Sequence, residues 1–205
     1  MDIKKNNSKA ITLAVKGEKI IKKAELSRKL ITKPATIWIT GLSASGKTTS
    51  GQQLAKNLNM KGVHNVVFLD GENLRKNLDR VYGYTTEERY EVLLNTIRIA
   101  TEHNKQGDIV IVSTISHQRK IRDKARKAIK HFMEVYLKCP VEICAQRDYK
   151  GHYKKAFAGE IDNYIGVAEP YETSTNPELI IDTAHLSIDE CSSYLLEHVL
   201  DFLTI

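Results

Sequence analysis

The stretch Gly41-Leu-Ser-Ala-Ser-Gly-Lys-Thr48 decides the fold of this chain. It follows the pattern GxxxxGK(S/T), which is the spacing of a phosphate-binding loop. The glycines let the backbone curl so that successive N–H groups point at phosphate oxygens, and the lysine adds positive charge beside the β- and γ-phosphates. The threonine hydroxyl is available to Mg²⁺, and the helix that follows contributes its dipole. The stretch therefore predicts a nucleoside triphosphate site rather than a turn that only joins a strand to a helix.

The segments on either side of this loop predict an open α/β sheet. Five short runs are apolar without alternation, which is typical of strands buried on both faces; they are 36–40, 66–70, 109–115, 133–139 and 179–183. Helical spacing separates them, as in 48–58, 85–106 and 187–203, the last with Ser187 and Glu190 in capping-box positions. Strands that alternate with helices pair in parallel. We expect an open parallel five-stranded sheet with helices on both faces.

One stretch departs from this alternation. Residues 148–177 are polar, contain several glycines and prolines, and carry no long apolar stripe. Such segments commonly form lids over a binding site. We predict a lid at about 148–166.

The charge is unevenly distributed along the 205 residues. Residues 1–34 carry ten Lys or Arg and three acids, so they account for +7 of a net charge of +6 and leave the remainder near neutral. A basic stripe on a folded face would indicate nucleic-acid binding, whereas a basic arm is weaker support for it. We interpret 1–33 as a basic N-terminal arm on a domain spanning 34–205, with no nucleic-acid partner.

Several classes of protein are disfavoured by composition. Three cysteines without a CxxC pair argue against a disulfide scaffold or a zinc site. No apolar run reaches the roughly 18 residues of a membrane span, and the first thirty residues lack a secretory signal core. These features predict a cytoplasmic protein without a membrane partner.

The residues beyond the loop favour a small-molecule kinase. A GTPase would need an NKxD motif, and the nearest string, Asn104-Lys-Gln-Gly107, ends in glycine. Asp70 ends the second predicted strand, where carboxylates face the ligand crevice of open α/β sheets. There it can hold a magnesium-bound water or take a proton from an acceptor hydroxyl, although it could also only cap the next turn. Arg75 follows closely, and its planar fork suits phosphate or sulfate.

Several longer strings together resemble the adenylylsulfate kinase family. They are FLDGENLR (68–75), GYTTEER (83–89), STIS (113–116), AQRDYKGHYKKAFAGEIDNYIG (145–166), EPYE (169–172) and NPELIIDT (176–183). The resemblance covers about 34–203. It implies a P-loop kinase that uses ATP and Mg²⁺, is usually a homodimer, and transfers the ATP γ-phosphoryl to the 3′-hydroxyl of adenosine 5′-phosphosulfate, giving 3′-phosphoadenosine 5′-phosphosulfate for sulfate assimilation.

The resemblance also implies roles for individual residues. It implies that catalysis involves Asp70, Lys47 and Ser116, the last as a phosphoserine, although Ser116 could equally cap the next helix. ATP would be bound by Gly41, Leu42, Ser43, Ala44, Ser45, Gly46, Lys47, Thr48, Thr49, Arg147 and Thr183. The acceptor would be bound by Arg75, Tyr84, Arg89, Ile115, Lys154 and Tyr164, with the two tyrosines flanking its adenine. Thr48 and Asp70 would hold the metal.

The sequence departs from the family pattern mainly on the acceptor side. Val92 replaces an asparagine that touches the acceptor, and Leu94 replaces a basic residue. Thr114 and His117 replace the phenylalanine and proline of S-F-I-S-P, and Phe157 replaces an arginine. Loss of one buried hydrogen bond to a ligand costs about 1–3 kcal/mol, enough to shift substrate preference.

Three functions therefore remain open from the sequence. The first is adenylylsulfate kinase. The second is a kinase of the same fold that acts on a different nucleotide-linked or small anionic acceptor. The third is a nucleotide-binding partner protein without turnover, which would not need Lys47, Thr48 and Asp70 together.

Overall fold

A computed structural model describes residues 32–204. Its sheet has five parallel strands in the order β2-β3-β1-β4-β5. The bounds are β1 Ala35–Thr40, β2 Val66–Asp70, β3 Ile109–Ser113, β4 Phe132–Lys138 and β5 Leu179–Asp182. The predicted open parallel five-stranded sheet is confirmed. The basic arm, apart from its last two residues, lies outside the described residues.

Seven helices connect and cover these strands in the described part of the chain. They are α1 Lys47–Met60, α2 Gly71–Asn77, α3 Thr86–Lys105, α4 Arg119–Ala128, α5 Val141–Gln146, α6 His152–Phe157 and α7 Ile188–Leu203. The predicted capping box at the start of α7 is present, because Ser187 Oγ accepts from the Glu190 N–H and the Glu190 carboxylate accepts from the Ser187 N–H. A second capping box, between Thr85 and Glu88, begins α3.

The sheet has an apolar layer on each face. On one face, Leu54 and Leu58 of α1 and Leu195 and Val199 of α7 join alternate residues of β1, β3 and β4. On the other face, α3 and α4 pack against Trp38 and the intervening positions of β3. Every residue of β1 is buried, as a central parallel strand requires.

The third strand is shorter than its apolar run. Pairing ends at Ser113, and the Thr114 N–H still donates to the Ile39 carbonyl at 3.1 Å. The chain then turns, with Ser116 in the left-handed region at φ 37°. The residues predicted to continue the strand, through Ile115, instead line the crevice at the end of the sheet. Apolar character alone does not distinguish a strand from a buried loop.

The segment predicted as a lid contains one short helix. In α6, Tyr153 and Ala156 are buried, and Tyr153 belongs to a small apolar cluster with Cys139 and Cys144. The Tyr153 hydroxyl donates to the Ser43 carbonyl at 3.1 Å. The segment is thus packed directly against the phosphate-binding loop.

The three cysteines are all free and buried. Within residues 32–204, no helix is both long and apolar enough to cross a membrane.

A buried ionic cluster fixes the turn after β3. Arg122 of α4 is 1% exposed, and its Nε lies 3.1 Å from Oε1 of Glu134 on β4. Its Nη1 and Nη2 donate to the carbonyls of Ser116 and Glu172 at 2.5 Å each. Ser174 Oγ also donates to Glu134. One guanidinium therefore joins α4, β4 and two loops.

We expect Arg122→Met to destabilise the fold by about 3–5 kcal/mol, because removal of one partner leaves the Glu134 carboxylate buried without its closest cation. Urea unfolding of the variant and the wild type measures the difference. Lys127→Met, at an exposed position of the same helix, is the matched control. A decrease of less than about 1 kcal/mol in the free energy of unfolding, which is the range of a surface ion pair, would refute a structural role for Arg122.

Candidate active site

One cavity of about 1270 Å³ lies at the carboxyl ends of the strands. Its wall includes the phosphate-binding loop, the ends of β2 and β3, the start of α3, the lid segment and the start of α7. Ligand sites of open α/β sheets occur at this edge, where the strand order reverses. In this sheet β1 lies between β3 and β4, so the loop that follows β1 stands at the reversal.

Two glycines of the phosphate-binding loop are required by its geometry. Gly46 precedes α1 with φ 99°, a left-handed conformation that residues with a Cβ rarely adopt. A Cβ on Gly41 would lie 2.7 Å from the Leu137 carbonyl oxygen, so only glycine fits between the loop and β4. The loop is thus curled tightly against the sheet, with the first turn of α1 facing the cavity.

Lys47 is held inside this curl. Its Nζ donates to the Leu42 carbonyl at 2.6 Å. The surrounding protein removes water from the ammonium group, which lowers the pKa of Lys47 to about 8, while Asp70 acts weakly in the opposite direction. The positive charge most useful to a triphosphate is therefore poorly solvated and available for a phosphate oxygen.

Thr48 and Asp70 meet beside the loop. Thr48 Oγ1 donates to Asp70 Oδ2 at 2.8 Å. Asp70 Oδ1 accepts from the N–H groups of Glu72 and Asn73 at 3.1 and 3.2 Å, which caps α2 and fixes the carboxylate. The capping alternative for Asp70 is thus correct for one oxygen, and the other oxygen faces the phosphate-binding loop.

This hydroxyl–carboxylate pair fits a magnesium ion. Hard oxygen donors suit Mg²⁺, which is usually bound through one or two protein groups together with substrate phosphates. The described residues contain no cluster of three or more His, Cys, Asp or Glu side chains that would form a complete protein cage. The donor set matches a metal that a nucleotide brings with it.

Arg75 and Arg89 converge on Tyr84. The Arg75 guanidinium lies 4.5 Å from the centre of the Tyr84 ring and that of Arg89 lies 5.6 Å from it. Arg75 also donates to the carbonyl of Gly83, and Arg89 Nε donates to the carbonyl of Tyr84 at 2.7 Å. Partial burial lowers the pKa of both arginines, although each stays charged near neutrality. This end of the cavity attracts an anion.

Tyr164 lines the same part of the cavity. Its ring packs edge-on against Tyr153 with centroids 4.9 Å apart. Burial raises the pKa of its hydroxyl, so the ring is neutral. Two tyrosines from distant parts of the chain therefore contribute aromatic surface to one site.

Ile115 and Ser116 lie where the chain leaves β3. Both line the cavity, but the Ser116 side chain is directed into the protein. Its Oγ accepts from Trp38 Nε1 at 3.1 Å and donates to Thr40 Oγ1 at 2.9 Å. It does not cap α4, whose N-cap is Gln118. Phosphorylation of Ser116 would remove the proton that its Oγ donates to Thr40, and the phosphoserine role stays a prediction.

His117 and Val92 form part of the altered acceptor wall. Both are buried and line the cavity. His117 Nε2 lies 3.5 Å from Glu169 Oε2. Burial, with the nearby Arg89 charge, lowers the pKa of His117 and favours its neutral ring. An apolar side chain and a neutral imidazole thus stand where the family pattern has an asparagine and a proline.

Unsatisfied polar atoms are concentrated at this cavity. Among the described residues, the buried side-chain polar atoms without a hydrogen-bond partner are Ser45 Oγ, His117 Nε2 and Tyr164 OH. All three residues belong to the cavity wall. Because buried polar groups are nearly always paired in folded proteins, such a concentration is typical of a ligand site.

Another part of the cavity wall is formed around Arg147 and Thr183. Arg147 Nη2 donates to the Thr183 carbonyl at 2.8 Å, and Thr183 Oγ1 donates to the Ser45 carbonyl at 3.1 Å. Leu186 and Ile188 at the start of α7 add apolar surface. The predicted Arg147 and Thr183 therefore lie together beside the phosphate-binding loop.

The structure unites most, but not all, of the predicted site residues. Gly41 and Leu42 belong to the loop but do not line the cavity. Lys154 is exposed on α6 and also lies outside the cavity wall. Phe157, also on α6, is 59% exposed. Instead, Lys150 lines the cavity and its Nζ lies 2.7 Å from Oε2 of Glu72, an ion pair that lowers the pKa of Glu72.

Sequence reasoning did not find Glu72 or Asn163 as site residues. Glu72 lies within the quoted FLDGENLR string, so its position beside Asp70 was available as a signal. Asn163 immediately precedes Tyr164, but its partner is 79 residues away, and no local pattern predicts that contact.

The fold and the site together define a P-loop phosphotransferase for a small acceptor. The chain belongs, more particularly, to the adenylylsulphate kinase family, whose sequence model matches residues 33–182. It is 41% identical over 167 residues to the adenylyl-sulfate kinase of Halothermothrix orenii, covering 82% of this chain and 90% of that protein. It is 38% identical over 194 residues to the adenylyl-sulfate kinase of Clostridium acetobutylicum, covering 94% and 96%.

A solved structure agrees with these sequence relatives. The Mycobacterium tuberculosis APS kinase in complex with AMPPNP and APS superposes with a TM-score of 0.76 at 35% identity. The match covers 82% of this chain and 98% of that one. The resemblance stated from the motifs is confirmed.

We expect nucleotide affinity to fall as the pH rises through about 8. Phosphate binding favours the Lys47 ammonium group. Below the pKa that proton is already present, whereas above it binding requires proton uptake and weakens by up to tenfold per pH unit. Isothermal titration with ATP between about pH 7.5 and 9.5, in buffers of different ionisation enthalpy, measures both the affinity and the proton uptake.

Lys47→Met is the matched control for this pH dependence, since it keeps the length of the side chain and removes the titrating group. Its affinity is weaker and changes little over the same pH range. If the wild type bound ATP with the same affinity across this pH range, the attribution of the pH dependence to Lys47 would be wrong.

Proposed function

We propose that this protein is an adenylyl-sulfate kinase that transfers the γ-phosphoryl group of ATP to the 3′-hydroxyl of adenosine 5′-phosphosulfate. The observation that supports this most directly is the continuity of one cavity. The phosphate-binding loop, Asp70, the arginine pair and two tyrosines all line this cavity. In this proposal the cavity binds both ATP and an aromatic, anionic acceptor.

In this proposal the phosphate-binding loop and the first turn of α1 hold the triphosphate. The backbone N–H groups of 43–48 and the Lys47 ammonium group receive the β- and γ-phosphates, and Arg147 and Thr183 border the adenine. Thr48 and Asp70 would hold Mg²⁺, which offsets phosphate charge when bound.

In this proposal Asp70 orients the acceptor hydroxyl and accepts its proton. Its Oδ1 is fixed by the two N–H groups at the start of α2, and only Oδ2 points toward Thr48 and the loop. As the acceptor oxygen forms its bond to the γ-phosphorus, the bond from that phosphorus to the β–γ bridging oxygen breaks, and ADP leaves. Catalysis of this kind depends mainly on positioning and charge.

The arginine pair and the tyrosines are proposed to bind the acceptor. Arg75 and Arg89 provide planar, charged donors that suit a phosphosulfate group. Tyr84 is 58% exposed, which leaves ring surface for an adenine. The base and the anion of the acceptor thus have separate partners.

A second candidate function is the same reaction on a related acceptor. It is favoured by the wall at Val92 and His117, which lacks the amide that the family pattern places there. A nucleotide-binding protein without turnover is disfavoured, because scaffolding does not require the Thr48–Asp70 pair beside Lys47.

Several further features belong to the proposal and rest on the sequence and the family resemblance. They are an arm at 1–33, a domain at 34–205, a lid at about 148–166, a homodimeric state, a cytoplasmic location and a role in sulfate assimilation. The ion pair between Lys150 of this segment and Glu72 of α2 supports a lid that closes over the phosphates.

We expect turnover with adenylyl sulfate to exceed turnover with other nucleotide acceptors. The measurement is a coupled assay of ADP release with ATP and magnesium, run with adenylyl sulfate and with a panel of nucleotides and small anionic alcohols. Turnover on another acceptor and none on adenylyl sulfate would favour the second candidate. Absence of turnover on every acceptor would favour the non-catalytic one.

We expect Asp70→Asn to lower kcat by about 10²–10⁴-fold, the usual contribution of a positioned general base. Nucleotide binding, measured without added magnesium, changes little, because the amide keeps the volume of the side chain and the loop is intact. Asp201→Asn, an exposed change on α7, is the matched control. Unchanged kcat in Asp70→Asn would remove Asp70 from the catalytic role.

A further inference from the structure

Asn163 closes a triangle of hydrogen bonds between two distant loops. Its side-chain Nδ2 donates to the Tyr84 backbone carbonyl at 2.8 Å. Its backbone carbonyl accepts from Arg89 Nη2 at 2.8 Å. Arg89 Nε completes the triangle by donating to the same Tyr84 carbonyl at 2.7 Å. The backbone of one tyrosine and the residue before the other are therefore tied together.

Each of the two loops has hydrogen bonds of its own that fix its local conformation. On one side, the Gly83 N–H donates to Glu88 Oε1 at 2.9 Å, and Glu88 is also half of the capping box that begins α3. On the other side, the Tyr164 carbonyl accepts from the N–H groups of Val167, Ala168 and Glu169 at 3.2, 3.0 and 3.1 Å. Because each loop is fixed by its own bonds, the bond between Asn163 and Tyr84 sets the distance between the two loops.

The three bonds of the triangle respond differently to an anionic ligand. Arg89 carries charge, lines the cavity and is drawn toward any phosphate or sulfate that enters. The amide of Asn163 is neutral and has no such competing partner. When an anion takes the Nη groups of Arg89, the bond from Asn163 to Tyr84 is the one that keeps the loops joined.

We propose that Asn163 is a positioning residue that sets the spacing of the Tyr84 and Tyr164 rings and thereby the width of the acceptor-base slot. It acts through the Tyr84 backbone and does not contact the reacting atoms. The inference rests on the proposed function in one respect, since the base in the slot is taken to be the adenine of adenylyl sulfate.

The kinetic test compares Asn163→Ala and Asn163→Asp with the wild type. Asn163→Asp is nearly the same size but replaces the donor with an acceptor that faces the Tyr84 carbonyl. We expect KM for adenylyl sulfate to rise about tenfold in both, in line with the loss of one hydrogen bond, while kcat and KM for ATP change little. Asn176→Ala, at an exposed loop position outside the cavity, is the matched control.

A second measurement needs no acceptor. Hydrogen exchange of the free protein reports the amides of 82–85 and 163–169, which we expect to exchange faster together in Asn163→Ala and to be unchanged in Asn176→Ala. Unchanged exchange in either segment would overturn the proposal. An equal rise in KM for ATP and for adenylyl sulfate, or a fall in kcat, would also overturn it.

The two measurements separate this inference from the proposed function. If the wild type does not turn over adenylyl sulfate but the two segments still exchange together, the choice of acceptor is wrong and the positioning role holds. If adenylyl sulfate is turned over and its KM is unaffected by Asn163→Ala, the proposed function holds and the positioning role is wrong.

Discussion

The curl of the backbone at 41–46 is the constraint on which the rest of the site depends. Its N–H groups converge on a phosphate only when the loop packs closely against the sheet. Gly41 allows this close packing because it has no Cβ, which would clash with the Leu137 carbonyl. The curl also needs a fixed base, which β1 provides as a fully buried strand between β3 and β4. Lys47 then reaches back into the loop, where poor solvation lowers its pKa. The chemistry of the triphosphate half thus follows from the packing of one strand.

The part of the cavity that the proposal assigns to the acceptor is held together in a different way. No single strand or helix carries it, and its parts come from α2, α3, the exit of β3 and the segment around Tyr164. Polar contacts over long sequence separations join these parts. Arg122 fixes the turn at Ser116, and Arg89 with Asn163 ties the two tyrosine loops. Because each contact is a directed bond to a backbone carbonyl, the site has a defined shape without a large apolar core of its own.

The positions predicted from sequence agree best with the structure where a contiguous motif carries them. The loop, Asp70 at the end of β2 and the capping box at Ser187 lie where their patterns indicated. Predictions were less accurate where a run of apolar residues had two explanations. Ile115, predicted within the third strand, lies in a loop beyond β3. The hydroxyl of Ser116 is bonded to Trp38 and Thr40, and its catalytic role stays a prediction. Lys154, in a basic run, is outside the cavity that Lys150 lines.

The sequence alone determined the class of fold, the triphosphate site and the family, because each depends on short-range spacing that the order of residues already contains. Only the tertiary structure decided which polar atoms are left without partners in the cavity, which of several lysines reaches it, and that Asn163 joins Tyr84. Those facts depend on distances between residues far apart in the chain. Such distances are set by how helices and loops pack on the sheet, and the packing is a property of the whole fold rather than of any segment.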